Sequence, residues 1–199
     1  MRQEPAIGTS RQWRMISALA LLGVTAAWAA EIGPPRIGRW PGPLGGPAES
    51  VQVVGQTAYV AVGGGGLLIV DVSDPAHPTR LGGHDTDGIA LDVALSGNRA
   101  FVADGPAGVV VLDVSDPAHP VPLGHHDTEG EALAVAVSGR LAFVADGPAG
   151  LVVLDVSDPA NPVRLVSREA EPYRLIQDVA VSGDRAFVVD TESSWYSPK

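Results

Sequence analysis

Asp71, Asp113 and Asp155 each end an apolar run, in LLIVD, VVVLD and LVVLD. Asp74, Asp116 and Asp158 follow three positions later, each directly ahead of a proline. Carboxylates at the mouth of a buried run can ligate metal, move protons, or accept the hydrogen bonds of a turn. A second group lies in glycine-containing segments: Asp85, Asp87, Asp104, Asp127, Glu129, Glu131, Asp146 and Glu169. Asp85-Thr86-Asp87-Gly88 and Asp127-Thr128-Glu129-Gly130 look like the start of a calcium loop, because a hard cation wants several oxygens. The later ligands and the distal bidentate glutamate of an EF-hand are missing. Asp85, Asp87, Asp127 and Glu129 are therefore the candidate metal ligands, with calcium as the ion. The plainer reading makes them solvated loop carboxylates, with glycine supplying the turn.

Other chemistries find less support. There is no cysteine, which removes thiolate metal sites, disulfides and cysteine nucleophiles. No Gly-x-Ser-x-Gly elbow is present. Ser73, Ser115 and Ser157 recur in VSDP, and recurrence suits turn hydrogen bonding better than a nucleophile needed once. The GGGG run at 63–66 precedes a strand-like segment rather than a helix, so it lacks a phosphate-binding context. His84, His126 and Arg168 occupy one repeated position, and His77, His119 and Asn161 another, within the DPxxP turn. The net charge of −10 opposes nucleic acid and anionic lipid as partners.

These residues are spaced by a repeat. The apolar-Asp runs recur every 42 residues, and 101–120 differs from 143–162 at only two positions, Val109/Leu151 and His119/Asn161. Each unit reads as four short strands, a to d. Strand a is DVAL at 92–95, followed by a Gly97-Asn98 hairpin turn of two residues, which predicts φ > 0 at the glycine. Strand b is RAFVA at 99–103, and Asp104–Gly108 turns the chain into strand c, 109–114. Asp116-Pro117 opens a type I turn into strand d at 121–127. Strand c is apolar at every position from Val109 to Leu112, so both faces of the sheet must be covered by neighbouring sheets. Four strands in about 40–45 residues, stacked side by side, make a β-propeller.

LLIVD, VVVLD and LVVLD, with the surrounding VSG-x-x-AFVADG and DVSDP-x-x-P patterns, resemble the LVIVD-repeat proteins over residues 51–190. The resemblance implies an all-β propeller of four-stranded antiparallel blades, usually exported, and it implies no shared catalytic residue. Blades are expected at 51–83, 92–127 and 134–168, with a partial one at 178–190. PRIGRW at 35–40 reads as a closing outer strand within a Pro/Gly-rich linker at 30–50. Three and a half blades cannot close a ring of four or more. The chain is thus expected to be a fragment of a larger propeller or to self-associate through its open edges.

Upstream, Arg11 and Arg14 precede an apolar run at 15–24 and the small-x-small triplet Ala27-Trp28-Ala29. This reads as a signal peptide over 1–29, folded as a helix and cleaved after Ala29, which predicts a secreted, periplasmic or surface protein with no membrane span after cleavage. Trp40, Trp195 and Tyr196 are aromatic residues outside the repeat and are candidate partner anchors. Antiparallel connectivity puts the b–c turns and d–a loops on one face, and Asp104, Asp146 and Glu131 are its candidate interaction residues. The expected function is a non-enzymatic scaffold for a protein or cell-surface partner. The competing expectation is a hydrolase or lactonase with a metal or polar site in the central channel, drawn from residues that break the repeat.

Overall fold

The computed structural model describes residues 45–171 and 174–192. Blade 1 comprises β1 (Ser50–Val54), β2 (Thr57–Ala61), β3 (Leu67–Asp71) and β4 (Thr79–His84). Blade 2 comprises β5 (Asp92–Ser96), β6 (Arg99–Ala103), β7 (Val109–Asp113) and β8 (Val121–His126). Blade 3 comprises β9 (Ala134–Ser138), β10 (Leu141–Ala145), β11 (Leu151–Asp155) and β12 (Val163–Arg168). β13 (Arg174–Ser182) and β14 (Arg185–Glu192) form a two-stranded hairpin, the described part of blade 4. Every pairing is antiparallel between consecutive strands. This is the all-β, open propeller array that the repeat predicts. The segments 1–29 and 35–40, and Trp40, Trp195 and Tyr196, lie outside the described residues.

The strands form because β-branched and aromatic residues alternate sides in short runs bounded by glycine turns. Gly97 and Gly139 have φ of 57° and 58° at the first turn position, as a two-residue hairpin requires. β13 and β14 are longer than the 178–190 expectation, with a register shift between Ile176 and Asp178.

The core lies between sheets. Val109 and Val111 of β7 pack toward blade 3, in a cluster with Val135, Val144 and Leu154. Leu112 of the same strand packs toward blade 1, with Leu67 and Ile69. Alternate residues of one strand thus fill two different interfaces, which is why β7 tolerates no polar position before Asp113. Each such buried side chain stabilises by about 1.5–3 kcal/mol relative to exposure.

Each outer strand carries the same irregularity. The registers shift between Ile69 and Val70, Val111 and Leu112, and Val153 and Leu154, leaving Leu81, Leu123 and Leu165 as extra residues. These bulges twist the outer strand. The residues after them seat the next blade. A Cβ on Gly82 would stand 2.3 Å from the Pro117 carbonyl oxygen, and one on Gly124 would stand 2.5 Å from that of Ala160. The backbone of each DPA turn therefore lies directly on a glycine of the preceding blade. The third copy of this position is Val166, which is exposed.

Candidate functional site

The carboxylates of the opening motif serve their own turns. Asp113 Oδ1 accepts the Ser115 backbone N–H at 2.8 Å, and Asp71 and Asp155 do the same with Ser73 and Ser157. Asp116 Oδ1 accepts the Ala118 N–H at 3.0 Å, while Oδ2 lies 2.9 Å from His119 Nδ1. Asp74 and Asp158 repeat this with Ala76 and His77, and with Ala160 and Asn161. Asparagine stands in for histidine at 161 because both offer a donor of suitable reach. The Ser115 backbone bond is the main influence holding Asp113 below the ordinary carboxylate range, and the bond from His119 does so for Asp116. A lowered folded-state value stabilises the fold above the unfolded value and is lost as pH falls. Asp113→Ala should therefore lower the Tm at neutral pH, and the difference should close as pH drops well below the ordinary value of 3.8. Thermal melts of both proteins across that range check this.

The b–c carboxylates behave differently. Asp104 and Asp146 are fully buried, so the structure removes them from the interaction face on which the sequence placed them. The correction has a plain cause. Asp104 Oδ1 accepts Thr86 Oγ1–H at 2.6 Å and Oδ2 accepts the Gly88 N–H at 2.9 Å. Asp146 repeats both bonds with Thr128 at 2.6 Å and Gly130 at 3.0 Å. Each staples a b–c turn to the d–a loop arriving from the preceding blade. On the other side, Gly63 and Ala90 exchange backbone hydrogen bonds at 3.0 Å, as do Gly105 and Ala132 at 3.2 and 3.0 Å. Each loop is thereby clamped by two blades. Burial pushes both carboxyls up despite the donors, with Asp85 and Asp87, or Asp127 and Glu129, adding to the rise.

A third kind of carboxylate escaped the sequence reading. Asp92 opens β5 and is buried. Its Oδ1 accepts Ser50 Oγ–H from blade 1 at 2.5 Å, and its Oδ2 accepts the Val135 N–H from blade 3 at 3.1 Å. One side chain therefore ties the innermost strands of three blades. The signal was present: Ser50, Asp92, Ala134 and Asp178 share this position, which mixes hydroxyl, carboxylate and methyl side chains.

The remaining acids are solvent-facing. Asp85, Asp87, Asp127, Glu129, Glu131 and Glu169 are exposed on the d–a loops. Among the described residues, no group of three or more His, Asp or Glu side chains is gathered closely enough to hold a metal ion. Thr86 and Gly88, within the first calcium-like segment, are committed to Asp104. Glu129 Oε1 accepts Arg164 Nη1–H at 2.8 Å across the junction of blades 2 and 3. His126 Nδ1 lies 3.1 Å from the Pro162 carbonyl oxygen. Within the β13–β14 hairpin, Arg174 pairs with Asp190 at 2.7 Å. Among the described residues, no helix is long and apolar enough to cross a membrane.

Comparison with solved structures shows the same architecture. The chain is similar to the computationally designed Ika4 protein at 11% identity and TM-score 0.61, covering 80% of this chain and 98% of that one. It is similar to designed Ika8 at 14% identity and TM-score 0.58, covering 71% and 42%. It is also similar to the Cps50 (Swd1) β-propeller domain of Myceliophteria thermophila at 15% identity and TM-score 0.58, covering 73% and 50%. The chain thus spans about half or less of the length of Ika8 and of the Swd1 domain. At these identities the likeness speaks for fold alone. No curated protein matches the sequence. The family model described as LVIVD repeat matches four times, at residues 45–86, 87–128, 129–168 and 174–194, in step with the four blades. With most of its length so matched, the chain belongs to the LVIVD-repeat family.

Proposed function

We propose that the chain is an exported, non-enzymatic scaffold that binds a protein or cell-surface partner through the face carrying the d–a loops. One observation carries this reading. The loops there are held rigidly from below by Asp104 and Asp146, while their outward carboxylates, from Asp85 to Glu169, remain exposed. Rigid loops bearing repeated charge give a broad, preorganised surface, which lowers the ordering cost of binding a partner. The buried acids that break the repeat would be the natural acids of a channel enzyme, yet both oxygens of Asp92 already accept hydrogen bonds. Export rests on the apolar 15–24 run and its small-residue triplet.

A photo-crosslinking residue at Glu131, on the loop face, should give a discrete adduct in cells, and one at Asn98, on the opposite hairpin face, should not. Equal labelling from both positions, or none from either, would sink the scaffold reading. N-terminal sequencing of the same material should begin at Ala30. An intact N-terminus on a cytoplasmic protein would remove the export half of the proposal.

A further inference from the structure

The junctions of blades 1 and 2 and of blades 2 and 3 are close relatives, and one of their differences removes a charged pair. At the second junction Arg164 of β12 reaches Glu129 on the preceding d–a loop. One unit earlier the corresponding residues are Pro122 and Asp87. The carboxylate is retained and the guanidinium is gone. In its place lies an open cleft of about 270 Å³, lined by His84, Asp85, Asp87, Val110, Pro122 and His125 among others. Among the described residues, no ion pair reaches Asp85 or Asp87. The nearest equivalent cation, Arg80, donates its Nε–H to the Gly82 carbonyl oxygen on its own strand.

The chemistry of this cleft follows from its neighbour. A planar guanidinium is already held by the equivalent carboxylate at 2.8 Å, so the loop geometry suits that group. Val110 and Pro122 give the methylene stem of a long cationic side chain an apolar wall. His84 and His125 line the cleft, and beside an imidazole a guanidinium packs better than an ammonium. The acidic net charge of the chain draws a cationic partner toward it.

We propose that the cleft between blades 1 and 2 receives an arginine side chain presented by a partner protein, taking the position that Arg164 fills internally at the next junction. This rests on the scaffold reading above and names the chemistry of one contact within it.

The test is an amide-resolved NMR titration of the full chain with a capped Gly-Arg-Gly tripeptide at neutral pH and low salt. Saturable shifts are expected at residues 85–88 and 123–125, and the citrulline tripeptide, which keeps the shape without the charge, should produce none. Asp87→Asn should weaken the affinity about fivefold, the scale of one exposed ion pair. The double variant Asp87→Glu with Pro122→Arg supplies the missing internal pair, and it should abolish the shifts while keeping the melting temperature. Equal shifts from arginine and citrulline, shifts that survive the double variant, or shifts mapping elsewhere would each overturn the proposal. Free arginine binding as well as the tripeptide would overturn the protein-borne ligand. A failure here with position-specific crosslinking intact would leave the scaffold standing and remove only the arginine contact.

Discussion

Alanine at Gly108 is expected to destabilise the fold by about 2–5 kcal/mol, combining about 1–2 for a left-handed backbone with about 1–3 for the intruding methyl group. Gly108 closes the b–c turn of blade 2 with φ of 77°, and a Cβ there would stand 2.2 Å from the His126 carbonyl oxygen and 2.8 Å from the Thr128 nitrogen. Both are backbone atoms of the clamped loop, so nothing flexible can give way. Gly139→Ala is the control. Its φ is 58°, yet a Cβ there meets nothing within 4 Å. That variant should lose only the conformational part, about 1–2 kcal/mol. Urea unfolding of the three proteins at constant slope measures the difference. Equal losses at both positions would mean that the loop contact contributes nothing.

Asp146→Ala is expected to cost about 2–4 kcal/mol, because it strands the Thr128 hydroxyl and the Gly130 N–H at a buried junction. Asp146→Asn should cost less but not be neutral, since one of the two acceptor oxygens becomes a donor facing a donor. The pH dependence runs opposite to that of the c–d turns. Burial raises the Asp146 carboxyl above its unfolded value, so its contribution is fully present below 3.8 and is lost as pH rises through the raised value. The stability gap between wild type and Asp146→Ala should therefore widen as the solution is acidified toward 3.8. Asp113 and its equivalents titrate in both proteins and cancel in that gap. A gap that narrows on acidification would show that the staple acts through its charge alone.

The three kinds of carboxylate explain how far the sequence could be read. The 42-residue spacing and the all-apolar VVVL run forced stacked sheets, because such a strand is stable only with cover on both faces. The turn role of Asp113 was legible for a local reason: its donor, the Ser115 N–H, lies two residues away. Asp104 was misplaced because Thr86 and Gly88 lie 18 and 16 residues off, across a blade boundary. A glycine-flanked acid in a turn looks the same whether it faces solvent or the next loop. Asp92 was missed for the same reason at greater range, since its partners are 42 and 43 residues distant. Local pattern fixes the blade, and the contacts between blades are where polar residues change meaning. The calcium-like segments show this too, since Thr86 and Gly88 bond inward while Asp85 and Asp87 face the cleft.

The outer-strand glycines bear on how such an array can grow. Gly82 and Gly124 each leave room for the DPA turn of the following blade to rest its backbone on theirs. A unit inserted after residue 128 would find that seat ready. After blade 3 the seat is closed, because Val166 carries a branched side chain where the two glycines carry none. The same 42-residue unit, spliced in there, would drive a carbonyl into that valine. The duplication that built blades 2 and 3 is therefore directional: copies can be added within the array, but the third blade ends the run of interchangeable ones.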